Sequence, residues 1–292
     1  MADYAVLLAE WEDACGRRAT LRPALGLWSL VLEGWTRCKP AERRALARTV
    51  DECREAWDRG LPLLAEHAPT IPPASVEDLL GPVMERLAVM LPDVGEPFHR
   101  FAGAWDRGEV GPAALLPAPG VDPPSALQAA YGIPSAVGAF LGPAALRPAL
   151  ETWFEATRTL PDGVWMRGLC PWCGGPPGFG DVVEDGRRRL SCPLCGGAWL
   201  APRLRCPYCD TWESGDLVRL LGEGAEEGYF IEACRACQGY LKGVDRRQRW
   251  NAGGPLVEDW ASPHLDTYAL RQGYWRPTPT IAHLLPPEDL GA

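Results

Sequence analysis

Residues 170–197 read CPWCGGPPGFGDVVEDGRRRLSCPLCGG, and residues 206–237 read CPYCDTWESGDLVRLLGEGAEEGYFIEACRAC. Together they hold eight of the eleven cysteines, as the CxxC pairs Cys170/Cys173, Cys192/Cys195, Cys206/Cys209 and Cys234/Cys237. The gaps between successive pairs are 18, 10 and 24 residues, two long ones bracketing a short one. The tight turn of one CxxC knuckle points two sulfurs to one side, and a tetrahedral metal takes four, so two knuckles close one site. In the 18-residue gap, FGDVV and RRRLS flank Glu184-Asp185-Gly186: two short strands joined by a turn signal. In the 24-residue gap, DLVRLL and YFIEAC flank a Gly-rich acidic turn. Cys170/Cys173 are therefore expected to pair with Cys192/Cys195, and Cys206/Cys209 with Cys234/Cys237, as two consecutive four-thiolate ribbons.

A tetrahedral set of four sulfurs suits iron and zinc alike, and the Pro and Gly of CPWCGG and CPLCGG fit the backbone N–H to sulfur pattern of both rubredoxin-type and zinc-ribbon sites. Four protein ligands leave no open position for water or substrate, which argues against hydrolytic metal catalysis. Two hairpins with little core of their own need a staple, so a structural role for the metals is preferred over electron transfer. A thioredoxin-like reading needs one pair beside a βαβ unit, and four pairs at ribbon spacing fit it badly. Cys15, Cys38 and Cys53 lie in helical text and are assigned no role.

Away from the cysteines the chain is that of an ordinary globular protein, with 292 residues, 47% hydrophobic and 23% charged. Gly and Pro make up 62 positions, so many turns and short elements are expected. Residues 1 to about 160 read as helical. The best segment is Pro40 to Asp58, with Leu46, Val50, Cys53 and Trp57 at threes and fours and Gly60 as terminator. Ser75 is a candidate cap for a helix through Leu87, and further helices are expected near Ala5–Cys15, Leu21–Trp35 and Leu146–Leu160. Between Gly108 and Pro134 the Pro and Gly density suggests a wrapped connection with short helical turns. After Asp245 the text is loop-like until Ser262-Pro263, which opens a helix ending at Gly273, and the Pro-rich end reads as an extended tail. The predicted class is α+β, divided into a helical domain (1–162), two tandem rubredoxin-like or zinc-ribbon-type four-cysteine metal-binding modules (163–202 and 203–250), and a C-terminal helix with its tail (251–292).

The net charge of −9 argues against a protein whose main task is neutralising phosphate or anionic lipid. Residues 165–250 contain 12 Lys and Arg against 11 Asp and Glu, and eight thiolates with two divalent ions take the region to about −3. A nucleic-acid-binding ribbon is thereby disfavoured. No run of eighteen apolar residues occurs, and the N-terminus lacks a basic leader, which suggests a cytoplasmic protein without membrane insertion. His67, His99, His264 and His283 are scattered and read as surface or capping residues. Trp172, Trp199 and Trp212 beside the knuckles suit either core packing or a partner-binding surface. Phosphate-loop, GxSxG, HExxH and GxGxxG motifs are absent, so no enzyme activity is expected.

Taken in order, CPWCGGPP, SCPLCGGAW, RLRCPYCD, ACRACQGYLKGVD and HLDTYALRQGYWRP resemble the formate dehydrogenase accessory protein FdhE family over roughly residues 165–277. The resemblance implies a cytoplasmic, non-catalytic maturation factor with a helical N-terminal part and rubredoxin-like metal centres, which contacts formate dehydrogenase catalytic subunits. The eight cysteines occupy the positions of that family's CxxC ligands. A rubredoxin-type protein passing electrons to the dehydrogenase is the alternative.

Overall fold

The structure, a computed structural model, describes residues 3–17, 22–38, 45–118, 120, 122–220 and 226–284. Its N-terminal half is helical: α1 (Tyr4–Arg17), α2 (Arg22–Arg37), α3 (Val50–Asp58), α4 (Leu63–Glu66), α5 (Ala74–Met90), α6 (Gly95–Asp106), α7 (Pro123–Tyr131) and α8 (Ser135–Trp153). Six strands follow: β1 (Phe179–Val182), β2 (Arg188–Ser191), β3 (Ala198–Ala201), β4 (Leu217–Leu220), β5 (Tyr229–Cys234) and β6 (Tyr240–Asp245). The short helices α9 (Pro255–Trp260), α10 (Pro263–Arg271) and α11 (Ile281–Leu284) close the described chain. The class is α+β, as the sequence suggests.

Several boundaries differ from expectation for identifiable reasons. The helix expected from Pro40 begins at Val50, because Thr49 and Glu52 form a reciprocal capping box; Pro40 itself lies outside the described residues. Ser75 is no cap. It sits inside the first turn of α5, and its hydroxyl donates to the Pro72 carbonyl at 2.7 Å. The Pro-rich connection contains a nine-residue helix, α7, capped by Asp122 and ended by the left-handed Gly132. Helix α8 starts eleven residues before the expected Leu146 and carries Pro143 and Pro148 inside it. It is buried on nearly every side, so it shows no amphipathic stripe, and packing offsets the hydrogen bonds its prolines remove. The predicted start at Leu21, residues 221–225 before the rest of the acidic turn, and Pro286 and Pro287 fall outside the described residues.

The two hairpins do not stand apart. The strand order is β3-β2-β1-β6-β5-β4, one sheet in which β1 and β6 run parallel, with Gly180 opposite Gly243, while every other pairing is antiparallel. One apolar core runs from Trp11, Trp28 and Trp57 through Leu141 to Trp172, Leu190 and the cysteines of the first pairs. Trp260 of α9, in a stretch expected to be loop, stacks on Trp28 at 3.6 Å and meets Trp11 edge-on, so the C-terminal segment is pinned to the N-terminal helices. A smaller core under β5 and β6 is sealed by Leu265 and Ala269 of α10. The expected extended tail is instead packed down, with Arg276, Thr278 and Thr280 buried. Among the described residues no single helix is long and apolar enough to cross a membrane; the α7–α8 pair together has the length but is bent by 119°.

Candidate metal centres

All four knuckles share one backbone geometry. The amide of each first cysteine donates to the carbonyl five residues on: Cys170 to Gly175, Cys192 to Gly197, Cys206 to Thr211 and Cys234 to Gly239, at 2.8–3.0 Å. The residue after each second cysteine takes a left-handed conformation: Gly174, Gly196, Asp210 (φ 66) and Gln238 (φ 58). The last two are the non-glycine residues with positive φ among those described. A side chain is disfavoured in that region, so the knuckle turn is imposed at Asp210 and Gln238 by the surrounding structure.

The turns bring the cysteines together four and four. In the first cluster, Sγ of Cys170 lies 3.5 Å from that of Cys195, and Sγ of Cys173 lies 3.4 Å from that of Cys192. In the second, Cys206–Cys237 and Cys209–Cys234 are each 3.7 Å apart. Within each cluster all four sulfurs lie inside 4.8 Å of one another. A tetrahedral ion with bonds of about 2.3 Å requires sulfurs about 3.8 Å apart, so both clusters can hold a metal ion without rearrangement. Backbone amides complete the cages: Gly175 N–H donates to Cys173 Sγ, and Tyr208 N–H to Cys206 Sγ.

The clusters differ in their surroundings. The first is buried at all four sulfurs; in the second, Cys209 is exposed and Cys237 half-buried. The helical half accounts for the difference. Trp57 Nε1 donates to the Pro171 carbonyl at 3.0 Å, the Leu63 and Leu64 amides donate to the carbonyls of Pro171 and Trp172, and Arg158 donates to Cys195 O. Burial pushes the Cys170 and Cys173 thiols well above their ordinary range. At Cys195 burial acts the same way, but hydrogen bonds from the neighbouring thiols and the charge of Arg158 outweigh it and hold that thiol well below the ordinary range. In the second cluster, burial raises Cys237 to about 11. Thiolates, not thiols, bind the ion, so loading it releases the protons of any sulfur still protonated.

The other sequence candidates separate clearly. Trp172 and Trp199 are core residues whose indole N–H groups donate to the carbonyls of Thr157 and Arg167. Trp212 is 56% exposed beneath the Arg205 guanidinium. His99 and His264 are exposed and His67 half-buried beside Glu66, each away from both clusters. His283 acts as a capping residue, accepting the Thr280 amide at the start of α11, and it also stacks on Tyr240 within a buried polar cluster that the sequence does not reveal. There Lys242 Nζ, fully buried, lies 2.6 Å from Asp266 and 3.1 Å from Asp259. Arg276 grips Asp259 with both terminal nitrogens and reaches Asp266 at 3.3 Å. The Thr280 amide donates to His283 Nδ1, placing the ring proton on Nε2, which donates to the Tyr240 oxygen; Tyr240 donates in turn to Asp266. A lysine in a strand with no exposed residue is the available signal, because such a charge requires a carboxylate partner.

No protein-family model matches the chain. It is 36% identical over 162 residues to the protein FdhE homolog of Pseudomonas aeruginosa, an alignment covering 51% of this chain and 50% of that one. With the homolog of Stutzerimonas stutzeri it shares 36% identity over 117 residues, 39% of this chain and 37% of that one. The chain thus spans about half the length, or less, of the curated relatives it matches. The fold is similar to the crystal structure of the FdhE protein from Pseudomonas aeruginosa, with a TM-score of 0.56 and 26% identity, covering 97% of this chain and 94% of that one. In sequence over half its length, and in fold, the chain is similar to FdhE proteins. Its two four-cysteine clusters lie in the α+β frame described above, and the segments Gln238–Lys242 and Leu265–Tyr274, which carry the resemblance beyond a generic ribbon, supply Lys242 and Asp266 of the buried polar cluster.

Proposed function

We propose that this chain belongs to the FdhE family and is a cytoplasmic, non-catalytic accessory factor that binds the catalytic subunit of a formate dehydrogenase and is needed for that enzyme's activity. On this reading Cys170, Cys173, Cys192 and Cys195 hold one metal ion, Cys206, Cys209, Cys234 and Cys237 a second, and each ion is iron or zinc. The supporting observation is the pair of four-sulfur cages: all four positions of a tetrahedral ion are taken by protein, so the metals supply rigidity and a surface instead of a reaction site. Deleting the gene should abolish formate dehydrogenase activity while the catalytic polypeptide persists; unchanged activity refutes the proposal. The exposed sulfur of Cys209 favours one alternative, a rubredoxin-type iron at the second cluster passing electrons to the dehydrogenase. A colourless preparation containing two zinc ions per chain refutes that alternative.

The unequal burial of the clusters predicts two rates of metal loss. On challenge with excess chelator, one ion per chain should leave rapidly and the other slowly, and Cys209→Ser should remove the fast phase alone. Ligand thiols must be deprotonated to hold the ion, so both phases should quicken as the pH falls. Release as a single phase at every pH, followed by a metallochromic dye, would show that burial does not control access.

A further inference from the structure

Strand register places Arg188 of β2, Leu217 and Arg219 of β4, and Glu232 and Cys234 of β5 on one face of the sheet. Over the β4–β5 end of that face lies a groove of 440 Å³, walled on its far side by residues 203–208. Its charged lining is Arg188, Arg203, Arg205 and Arg219 against the single acid Glu232, a local reversal of sign in a chain of net charge −9. Arg188, 3% exposed, binds Glu232 and the Arg205 carbonyl through its terminal nitrogens, at 2.9 Å each. The buried Nε atoms of Arg188 and Arg205 have no hydrogen-bond partner among the described residues. Arg203 and Arg219 are exposed, the latter 3.8 Å over the Phe230 ring, and Leu204 stands 65% exposed at the rim. Cys206 and Cys234 of the less buried cluster also line the groove, and β4 is the sheet's edge strand, so the site is held by the metal cage on one side and open on the other.

We propose that this groove binds an extended acidic segment of the client protein, a run of Asp or Glu interrupted by an apolar residue that packs on Leu204 and Leu217. Guanidinium groups recognise carboxylates in paired geometry, and an extended chain suits a groove beside an unpaired strand edge. The inference rests on the client binding proposed above and names the surface that performs it. Nucleic acid would bring the same sign of charge, but the chain's net charge of −9 opposes the approach of a long polyanion.

The test uses the full metal-loaded chain and the purified formate dehydrogenase catalytic subunit from the same genome. Affinity is measured by calorimetry at about 50 mM and about 500 mM salt, where exposed charges are strongly screened at the higher value. Reversing both exposed arginines, in Arg203→Glu with Arg219→Glu, should weaken binding at least ten-fold at low salt, whereas the lysine pair R203K/R219K should stay within about three-fold of the parent. Two metals per chain and an unchanged circular dichroism spectrum establish that the variants are folded. If the parent binds the subunit and the glutamate variant binds equally well, the groove assignment is overturned while client binding stands. If the parent does not bind the subunit, the functional proposal falls and this one with it. Displacement of the subunit by a single-stranded oligonucleotide, but not by an Asp/Glu-rich peptide, would also overturn it.

Discussion

Replacing Cys192 by serine is expected to cost the chain its cooperative fold, whereas Cys209→Ser should cost one metal ion and little else. Cys192 sits in the same apolar core as Trp57, Leu141 and Trp172, and the first cluster is hydrogen-bonded to the helical half through Trp57, Leu63, Leu64 and Arg158. A structural zinc contributes an apparent 10–16 kcal/mol, roughly, at neutral pH, as large as the whole net stability of a typical domain at about 5–15 kcal/mol. Weakening that ion therefore removes support from both halves at once. At the second cluster, Cys209 is exposed. Near-UV circular dichroism on heating should show C192S melting at least about 10 °C below the parent, or without a cooperative transition, and C209S within a few degrees. A C192S chain that melts like the parent would show that the helical half does not depend on the first cage.

Asp266→Asn is expected to destabilise the fold by about 3–5 kcal/mol, the usual consequence of removing one partner from a buried ion pair. Lys242 and Arg276 would then share the single carboxylate of Asp259, leaving an uncompensated cation in a site that excludes water. Burial alone would raise the Asp266 carboxyl, yet the charges of Lys242 and Arg276 hold it well below its usual range. Denaturant titration at pH 7 measures the loss; a midpoint unmoved from the parent's would show that the cluster contributes nothing. His283 adds a pH dependence. Burial, helped by the charges of Arg276 and Lys242, lowers its pKa from 6.5 to about 4. The unfolded chain therefore binds a proton that the folded chain refuses, so this residue's contribution is complete above pH 6.5 and is lost as the pH falls towards 4. His283→Gln should flatten the stability profile across that window.

The buried polar cluster also ties together segments that lie apart in the chain. Tyr240 and Lys242 lie on β6, Asp259 on α9, Asp266 on α10 and His283 on α11, so the cluster fastens three C-terminal helices to the strand joining the two hairpins. Periodicity carries no trace of it, since each member looks like an ordinary charged residue in its own stretch. Other differences between sequence and structure have similarly local causes. Ser75 looks like a cap because serine at a helix start usually is one, but Pro73 has already set the backbone on a helical course. Thr49 is a cap whose Thr-x-x-Glu spacing is hidden inside a longer apolar pattern.

By itself, the sequence determined the short-range features: which cysteines form knuckles, which stretches become hairpin strands, and that the first half is helical. Each of these is decided within a few residues, by a CxxC turn, a Gly-containing reversal or a repeat at threes and fours. Only the tertiary structure decided that the two hairpins merge through a parallel β1–β6 pairing, that one cage is covered by helices and the other faces solvent, and that Lys242, Asp259, Asp266 and Arg276 meet. Those outcomes depend on how faces far apart in the chain exclude water from one another. The pattern of any single segment shows that a face must be buried, but not which distant surface will bury it.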